Sequence, residues 1–338
     1  MTATQGSPPT LSFVVPAHDE EGSVVDLHAE LTKAAREFDT TYEIVFVNDG
    51  SRDGTLARLT DLLPHDPNLC VVDLQGNFGE SAALSAGFAQ ARGRYVLTLD
   101  ADGQNDPADF SRLLRALDDR YDVASGWRRQ REDGFWLRVL PSRIANGLIR
   151  IITGVPVHDC GCTLKVYRKE VLVRTDLPRG MHRFLPAIAG IDPGRIVEVP
   201  VSDRPRASGT SHYGLSRTFV VMRDLVGLPL VLRQPRAGRA TARFLGATAA
   251  VSLSGAAVLI ASAAPWLALG AGTLGAGAIA ARHVIREFID AEEHGVFRVR
   301  RVLHGTSASD RNRRSRLLGP EPSPNLSESP VGTSRGAV

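Results

Sequence analysis

Four short apolar runs, separated by helix-like stretches, occupy most of the first hundred residues and restrict the fold more than any other feature. The runs are LSFVV (11–15), YEIVFV (42–47), LCVVDL (69–74) and YVLTL (95–99). The stretches between them, at about 20–38, 55–63 and 81–92, have the composition of helices. Short apolar strands alternating with helices are typical of a parallel sheet with helices on both faces. The sequence therefore predicts an α/β domain.

Polar residues follow each of the four runs. They are PAHDE (16–20), NDGS (48–51), GNFG (76–79) and DAD (100–102). Because ligands of such sheets bind beyond the carboxyl ends of the strands, these segments predict one polar site at a single edge of the sheet.

Two carboxylates, Asp100 and Asp102, come directly after the fourth run. Residues two apart in an extended chain face the same side. Hard divalent cations such as Mg²⁺ and Mn²⁺ prefer oxygen ligands of this kind and often bridge them to a diphosphate. Asp49 closes another strand before Gly50, as if a nucleoside were to lie against the backbone there. A D-x-D pair alone is weak evidence for a metal site, but its position among other polar strand ends strengthens that prediction.

Composition excludes some functions. A net charge of +3 over 338 residues is too small to argue for nucleic acid. Three cysteines indicate neither a disulfide framework nor a zinc site, which favours a reducing, cytosolic environment. We predict packing roles for Cys160 and Cys162 and structural roles for His158 and His182.

Two local features add to these predictions. The polar start of the chain predicts no signal peptide. Asp106 is predicted to cap a helix that starts at Pro107.

The second half contains a stretch, 244–281, without a charged residue. As one helix it would be about 57 Å long, roughly twice a ~30 Å hydrocarbon core, so a transmembrane hairpin over 244–283 with its turn near 264–266 fits better. Arginines flank both ends, which predicts an even number of spans with cytoplasmic ends. A buried Ala/Gly-rich helix pair is the alternative. The arginines are Arg233, Arg236, Arg239, Arg243, Arg282 and Arg286.

The remaining segments complete the predicted organisation. Residues 214–243 are predicted to form interfacial amphipathic helices, with a core-facing helix as the alternative. A catalytic domain over 11–213 precedes them, and a juxtamembrane segment over 284–306 follows the hairpin. The ends, 1–10 and 307–338, are polar and predicted to be disordered.

Several of these motifs resemble those of a known family. VVPAHDEE, FVNDGSRDGT, GNFGESAALSAGF and LDADGQNDP resemble the successive motifs of family 2 glycosyltransferases with the GT-A fold, which is Rossmann-like. DCGCTLKVYRKEV, HRFLPAIAG and VEVPVSDRPRASGTSHYGLSR are similar to the narrower group of polyprenyl-phosphate glycosyltransferases, which includes dolichol-phosphate mannose synthase. The resemblance extends from about residue 11 to 300.

The resemblance implies site residues, position by position. Nucleotide-contacting positions are Pro16, Ala17, Glu20 and Asp49, and the Mg²⁺ or Mn²⁺ site and its neighbour are Asp100, Asp102 and Gln104. Phosphate-holding and reaction-centre positions are Arg128, Arg138, Asp159, Arg206, Ser211 and Tyr213. The catalytic set among these is Asp102, Gln104, Asp159 and Arg206. Asp159 would orient the acceptor, steady a basic residue or act as a base. The chain departs from the family pattern at His18-Asp19, Glu80 and His212.

The resemblance also implies a reaction. A UDP- or GDP-hexose would donate its sugar, with inversion, to a polyprenyl phosphate such as undecaprenyl, decaprenyl or dolichyl phosphate at the cytoplasmic face of the membrane. A phosphate monoester has a second pKa of about 6, so the acceptor is already an anionic nucleophile and needs positive charge more than a base. Two alternatives stay open: another acceptor in cell-wall or polysaccharide synthesis, and a non-catalytic nucleotide-sugar-binding membrane adaptor. Sugar identity and homo-oligomerisation are also open.

Overall fold

A computed structural model describes most of the first 204 residues and short pieces beyond them. The described residues are 7–129, 146–147, 149–151, 153–172, 175, 177–178, 180–204, 246–254, 273–279, 281–283 and 297–306. The predicted site residues Arg138, Arg206, Ser211 and Tyr213 lie outside these ranges. So do the predicted interfacial helices at 214–243, the predicted hairpin turn at 264–266 and the predicted disordered tail at 307–338.

The predicted alternation of strands and helices is present in the first half of the chain. The strands are β1 (Leu11–Ala17), β2 (Tyr42–Asn48), β3 (Leu69–Leu74), β4 (Tyr95–Thr98), β5 (Val123–Trp127), β6 (Lys165–Arg168), β7 (Ile196–Pro200) and β8 (Val299–His304). The helices are α1 (Val24–Glu37), α2 (Thr55–Leu62), α3 (Glu80–Gln90), α4 (Phe110–Ala116), α5 (Lys169–Leu172) and α6 (Leu185–Ile188). Short 3₁₀ turns lie at Pro107–Asp109, Met181–Phe184 and Pro193–Arg195.

All eight strands belong to one sheet, in the order β7-β5-β6-β4-β1-β2-β3-β8. The central strands β4, β1, β2 and β3 are parallel, and β5 is parallel to β7. β6 runs antiparallel to β4 and β5, and β8 runs antiparallel to β3. The predicted mostly parallel sheet is therefore confirmed.

Alternate residues of the central strands enter two separate cores. On β1, Phe13 and Val15 belong to the core that includes residues of α1 and α2, whereas Val14 belongs to the core beneath α3. All three side chains are fully buried. A strand that is buried on both faces reads as a continuous apolar run, which explains the composition of LSFVV.

The 3₁₀ turn after β4 starts as predicted. Asp106 is its N-cap, and its carboxylate accepts a hydrogen bond of 3.0 Å from the amide of Ala108, with Pro107 in the first position. The extended geometry expected for Asp100 and Asp102 is wrong, however, because β4 ends at Thr98 and the chain turns at Ala101 and Asp102. Gly103, with φ of 74°, provides the left-handed conformation that this turn requires.

Beyond residue 204, residues 246–254 and 273–279 are helical and lie against each other. A Cβ on Gly275 would lie 2.8 Å from Leu253 Cγ, and one on Gly246 would lie 3.2 Å from the guanidinium carbon of Arg282, so the two pieces run antiparallel. Among the described residues, none of the helices combines the length and the apolar character needed to cross a membrane.

Candidate active site

A cleft of about 260 Å³ opens where β1 and β4 lie side by side, at the carboxyl edge of the sheet. In the strand order, β1 leads to β2 on one side of this point and β4 leads to β5 on the other. Ligands of open α/β sheets usually bind at such a point. Every predicted site residue that the structure describes, except Asp159, lines this cleft. The lining residues are Pro16, Ala17, His18, Glu20, Asp49, Glu80, Asp100, Ala101, Asp102, Gln104, Arg128, Gly161, Thr163, His182 and Arg183.

The first side of the cleft is formed by residues 16–20, 48–51 and 77–80, which we call the β1–β2 wall. Asp49 is central to it and is only 3% exposed. Its two carboxylate oxygens accept hydrogen bonds of 2.7 Å from the amide of Phe78 and 2.8 Å from the amide of Gly79. These amides precede α3, so Asp49 connects the end of β2 to the start of that helix.

His18 joins the three segments of the β1–β2 wall. Its Nδ1 lies 2.8 Å from the carbonyl oxygen of Asp49, and its Nε2 lies 2.9 Å from Nδ2 of Asn77. Gly50 permits this close packing: its φ is 63°, and a Cβ there would lie 2.3 Å from the backbone of Gly76. The His18 ring and the backbone around Gly50 therefore hold the three segments of this wall close together.

Residues 100–106 form the floor of the cleft, which we call the β4 loop. Oδ1 of Asp102 accepts a hydrogen bond of 3.0 Å from the amide of Gln104, which fixes the turn. The carbonyl of Gln104 accepts 2.8 Å from the amide of Arg204, whose guanidinium lies 2.9 Å from Asp106. The β4 loop is thus held by the chain that follows β7.

The opposite side, formed by Arg128 and residues 159–163, is called the β5–β6 wall. Arg128 and Asp159 form a two-point pair, with distances of 2.8 Å from Nε to Oδ2 and 3.2 Å from Nη2 to Oδ1. The Arg128 side chain is 10% exposed, and its Nη1 lies 4.0 Å from Asp203. Burial alone lowers the pKa of Arg128, but the hydrogen bond and charge of Asp159 outweigh it and place the pKa above its ordinary value.

A buried lysine supports the β5–β6 wall from below. Nζ of Lys165, on β6, donates to the carbonyls of Cys160 and Cys162. Burial raises the pKa of each of these thiols to about 11, so both are protonated at neutral pH. The predicted packing role of the two cysteines is consistent with their buried, protonated state.

The charges of the cleft suit a cation. Five carboxylates line it, from Glu20, Asp49, Glu80, Asp100 and Asp102, against two arginines. A diphosphate cannot approach so many carboxylates without added positive charge. Among the described residues, no three His, Cys, Asp or Glu side chains form a metal-holding group. Asp100 and Asp102 with the amide oxygen of Gln104 nevertheless fit Mg²⁺ or Mn²⁺, which usually take one or two carboxylates plus water and substrate phosphates.

Seven lining residues had no predicted site role: His18, Glu80, Ala101, Gly161, Thr163, His182 and Arg183. His182 Nε2 lies 3.3 Å from Oε2 of Glu80, and its Nδ1 lies 3.2 Å from Oγ of Ser81. The sequence held a signal for two of these residues, because His182 and Arg183 are the first residues of the HRFLPAIAG motif. The other histidine of interest, His158, stacks on Trp127 and pairs with Glu198 away from the cleft lining.

Comparison with known proteins identifies the family. The family model described as glycosyl transferase family 2 matches residues 12–175. A dodecaprenyl-phosphate galacturonate synthase of Rhizobium johnstonii is 43% identical over 227 residues, which are 66% of this chain and 67% of that protein. The chain belongs to glycosyl transferase family 2. The predicted membership of this glycosyltransferase family is therefore confirmed.

Further relatives agree with the narrower resemblance. An undecaprenyl-phosphate 4-deoxy-4-formamido-L-arabinose transferase of Aeromonas hydrophila is 36% identical over 217 residues, 64% of this chain and 66% of that protein. The matched region thus spans about two thirds of these relatives. Among solved structures, glucosyl-3-phosphoglycerate synthase of Mycobacterium tuberculosis with Mn²⁺ and UDP-glucose aligns with a TM-score of 0.51. At 19% identity, covering 66% of this chain and 78% of that one, this likeness supports the GT-A-like fold alone.

Proposed function

We propose that this family 2 glycosyltransferase moves a sugar from a nucleoside diphosphate sugar to a polyprenyl phosphate, with inversion at the anomeric carbon. The observation that carries the proposal is the meeting of Asp49, the Asp100/Asp102 pair and Arg128 in one cleft. The names of the relatives from Rhizobium johnstonii and Aeromonas hydrophila support the polyprenyl phosphate as acceptor.

The two walls suit different parts of the reactants. The β1–β2 wall presents the carboxylates of Glu20 and Asp49, which suit a base and ribose that offer hydrogen-bond donors. The β5–β6 wall carries Arg128, whose planar guanidinium suits the acceptor phosphate. The polyprenyl phosphate would then enter opposite the nucleotide, as attack in line with the departing diphosphate requires.

A divalent metal completes this arrangement. Asp100, Asp102 and Gln104 would hold Mg²⁺ or Mn²⁺, which would supply positive charge to the departing diphosphate. The amide of Gln104 fixes Asp102 through the 3.0 Å hydrogen bond, so that carboxylate is oriented in advance.

For Asp159, the geometry favours one of the three predicted roles. Both of its oxygens accept hydrogen bonds from Arg128, so we propose that it steadies this arginine. A phosphate acceptor that is already ionised does not need a proton removed by Asp159.

Attachment at the cytoplasmic membrane face is also part of the proposal. Arg204 follows β7 and Phe297 precedes β8, and both strands belong to the same sheet. Any membrane crossings between these two residues must therefore be even in number, with the catalytic domain on one side. The arginines on both flanks of 244–281 favour the cytoplasmic side.

Sugar transfer to a short polyprenyl phosphate tests the proposal. Detergent-purified protein is given radiolabelled UDP- and GDP-sugars, including a uronate and an amino-arabinose donor, with Mg²⁺, Mn²⁺ or EDTA. We expect one donor to give a labelled lipid in a metal-dependent way, and Asp102→Asn to lower the rate at least 100-fold. Nucleotide binding without labelled lipid from any donor would reject the polyprenyl phosphate and favour another acceptor or an adaptor.

A further inference from the structure

One row of cross-strand partners extends from the cleft to the far edge of the sheet. Ala17 of β1 is in register with Asn48 of β2, Asn48 with Asp73 of β3, and Asp73 with Arg301 of β8. Neighbours in a row point to the same face of a sheet, so their side chains can contact one another. β8 is the last described strand, yet it lies in the row that ends at the cleft-lining Ala17.

Asp73 is the buried charge in this row. Its side chain is 0% exposed, and a carboxylate so deep in a protein needs compensating charge or hydrogen bonds. Oδ2 lies 3.2 Å from Nε of Arg301 and 3.5 Å from Nη1 of Arg300, while Oδ1 accepts 2.9 Å from Nδ2 of Asn48. Asp73 therefore connects the arginines of β8 to the end of β2.

A bulge explains why two consecutive arginines reach one carboxylate. Successive residues of a regular strand point to opposite faces. The register shifts between Asp73 and Leu74, so that Leu74 pairs with Val299 and Arg300 is the extra residue. A β-bulge of this kind redirects a side chain, here toward Asp73.

The other end of the chain of contacts is the loop beside Asp49. Nδ2 of Asn48 is held by Asp73, and Oδ1 of Asn48 accepts a hydrogen bond of 3.3 Å from the amide of Ser51. Asn48 is 2% exposed, so its amide group has little freedom to rotate. The orientation set by Asp73 thus fixes the turn 48–51 of the β1–β2 wall.

β8 is seated by backbone contacts as well. The amide of Gln75 donates 2.9 Å to the carbonyl of Arg298, and that of Gly305 donates 2.8 Å to Leu69. A Cβ on Gly305 would lie 1.7 Å from the carbonyl oxygen of Asp66, so only glycine allows the strand to end here.

We propose that Arg300 and Arg301 of β8 are positioning residues for nucleotide binding, acting through Asp73 and Asn48 on the turn that carries Asp49. This inference rests on the proposed nucleoside diphosphate sugar donor. It assigns a role in the active site to a segment that begins at Val299, 116 residues after Arg183, the last cleft-lining residue of the described chain.

A double-mutant cycle with the full chain in detergent tests the proposal. UDP and GDP binding, each with Mg²⁺ or Mn²⁺, is measured by calorimetry for wild type, Arg300→Gln/Arg301→Gln, Asp73→Asn and the combined variant. Asp73→Asn retains an oxygen for Asn48 but removes the charge that needs the arginines. We expect the arginine pair variant to bind about tenfold more weakly, and the same change to cost less than about twofold in the Asp73→Asn background.

Arg298→Gln is the matched control. Arg298 contributes its backbone carbonyl to the sheet, which the substitution keeps, so this variant should bind UDP and GDP as wild type does. Equal losses from the arginine change in both backgrounds would overturn the inference, since the arginines would then act through general charge. Unchanged affinity of the arginine pair variant would also overturn it. A wild-type chain that binds neither UDP nor GDP would instead contradict the proposed function, and the inference with it.

Discussion

The two walls of the cleft bury their carboxylates by different means. On the β1–β2 wall, the oxygens of Asp49 accept from two backbone amides, at Phe78 and Gly79. On the β5–β6 wall, the oxygens of Asp159 accept from the side chain of Arg128. Backbone amides cannot move without changing the fold, whereas a guanidinium can exchange one anion for another. Under the proposed function, this difference would give the nucleotide a fixed surface and the acceptor phosphate an arginine that can change partners.

The largest effect on stability is expected from breaking the Arg128–Asp159 pair. Asp159→Ala leaves the guanidinium of Arg128 buried without its main partner, and breaking a buried pair in this way costs about 3 kcal/mol. The free energy of unfolding, measured by urea titration in detergent, should fall by that amount. The Arg128→Met/Asp159→Leu variant should recover most of it, because apolar residues of similar volume replace both charges. Equal instability of the two variants would show that the charge pair is not the cause.

A smaller effect on stability is expected on the β1–β2 wall, where two backbone amides bind the carboxylate of Asp49. Asp49→Asn keeps one acceptor oxygen but turns an NH₂ group toward one of the two amides, at a cost of about 1–2 kcal/mol. The same titration measures it, and nucleotide affinity should fall in parallel because the start of α3 shifts. Asp61→Asn, on an exposed face of α2, is the control and should be neutral. A loss as large as that of Asp159→Ala would remove the distinction between the walls.

The contrast also explains what the sequence could predict. The polar ends of β1, β2 and β4 were predicted to meet because parallel strands place their carboxyl ends at one edge. The Arg128–Asp159 pair joins residues 31 apart, and the Arg301–Asp73 contact joins residues 228 apart, so neither follows from local pattern. Family resemblance supplied Arg128 and Asp159 as positions, but only the fold shows that they contact each other.

β8 illustrates the same limit. Its burial pattern is intermediate or exposed throughout, and its sequence, VRRVLH, carries two consecutive arginines. Nothing in that pattern indicates a strand of the catalytic sheet, because its pairing with β3 depends on a partner far away in the sequence. The predicted juxtamembrane segment at 284–306 therefore includes a strand that the sequence analysis did not anticipate.

A third buried carboxylate, Asp66, accepts hydrogen bonds from both a side chain and a backbone amide, and it makes the stability of the fold depend on pH. Burial raises the pKa of Asp66, but hydrogen bonds from His28 at 2.8 Å and from the amide of Asn68 at 2.8 Å outweigh it, so the pKa lies below its ordinary value. A lowered carboxyl pKa gives stability that is complete above the unfolded pKa of about 3.9 and is lost as the pH falls through the folded pKa.

Asp66→Asn should therefore lower stability at pH 7, and its effect should shrink as the pH falls through the folded pKa of Asp66, where wild type loses the same contribution. Melting temperatures at a series of pH values measure both curves. Parallel curves for wild type and variant across this range would mean that the carboxylate of Asp66 does not titrate with folding.

The smallest expected effect concerns the sulfurs of the β5–β6 wall. Cys160 and Cys162 lie next to Asp159, yet burial raises the pKa of each to about 11, and their side chains are nearly inaccessible. Because the thiolate is the reactive form, iodoacetamide at pH 7.5 should modify neither residue in the folded protein and should leave sugar transfer unchanged. Mass spectrometry after alkylation, with urea-unfolded protein as the positive control, measures the modification. Rapid alkylation of either thiol with loss of transfer would mean that this wall opens in solution, and that its adaptability extends from the Arg128 side chain to the backbone beneath it.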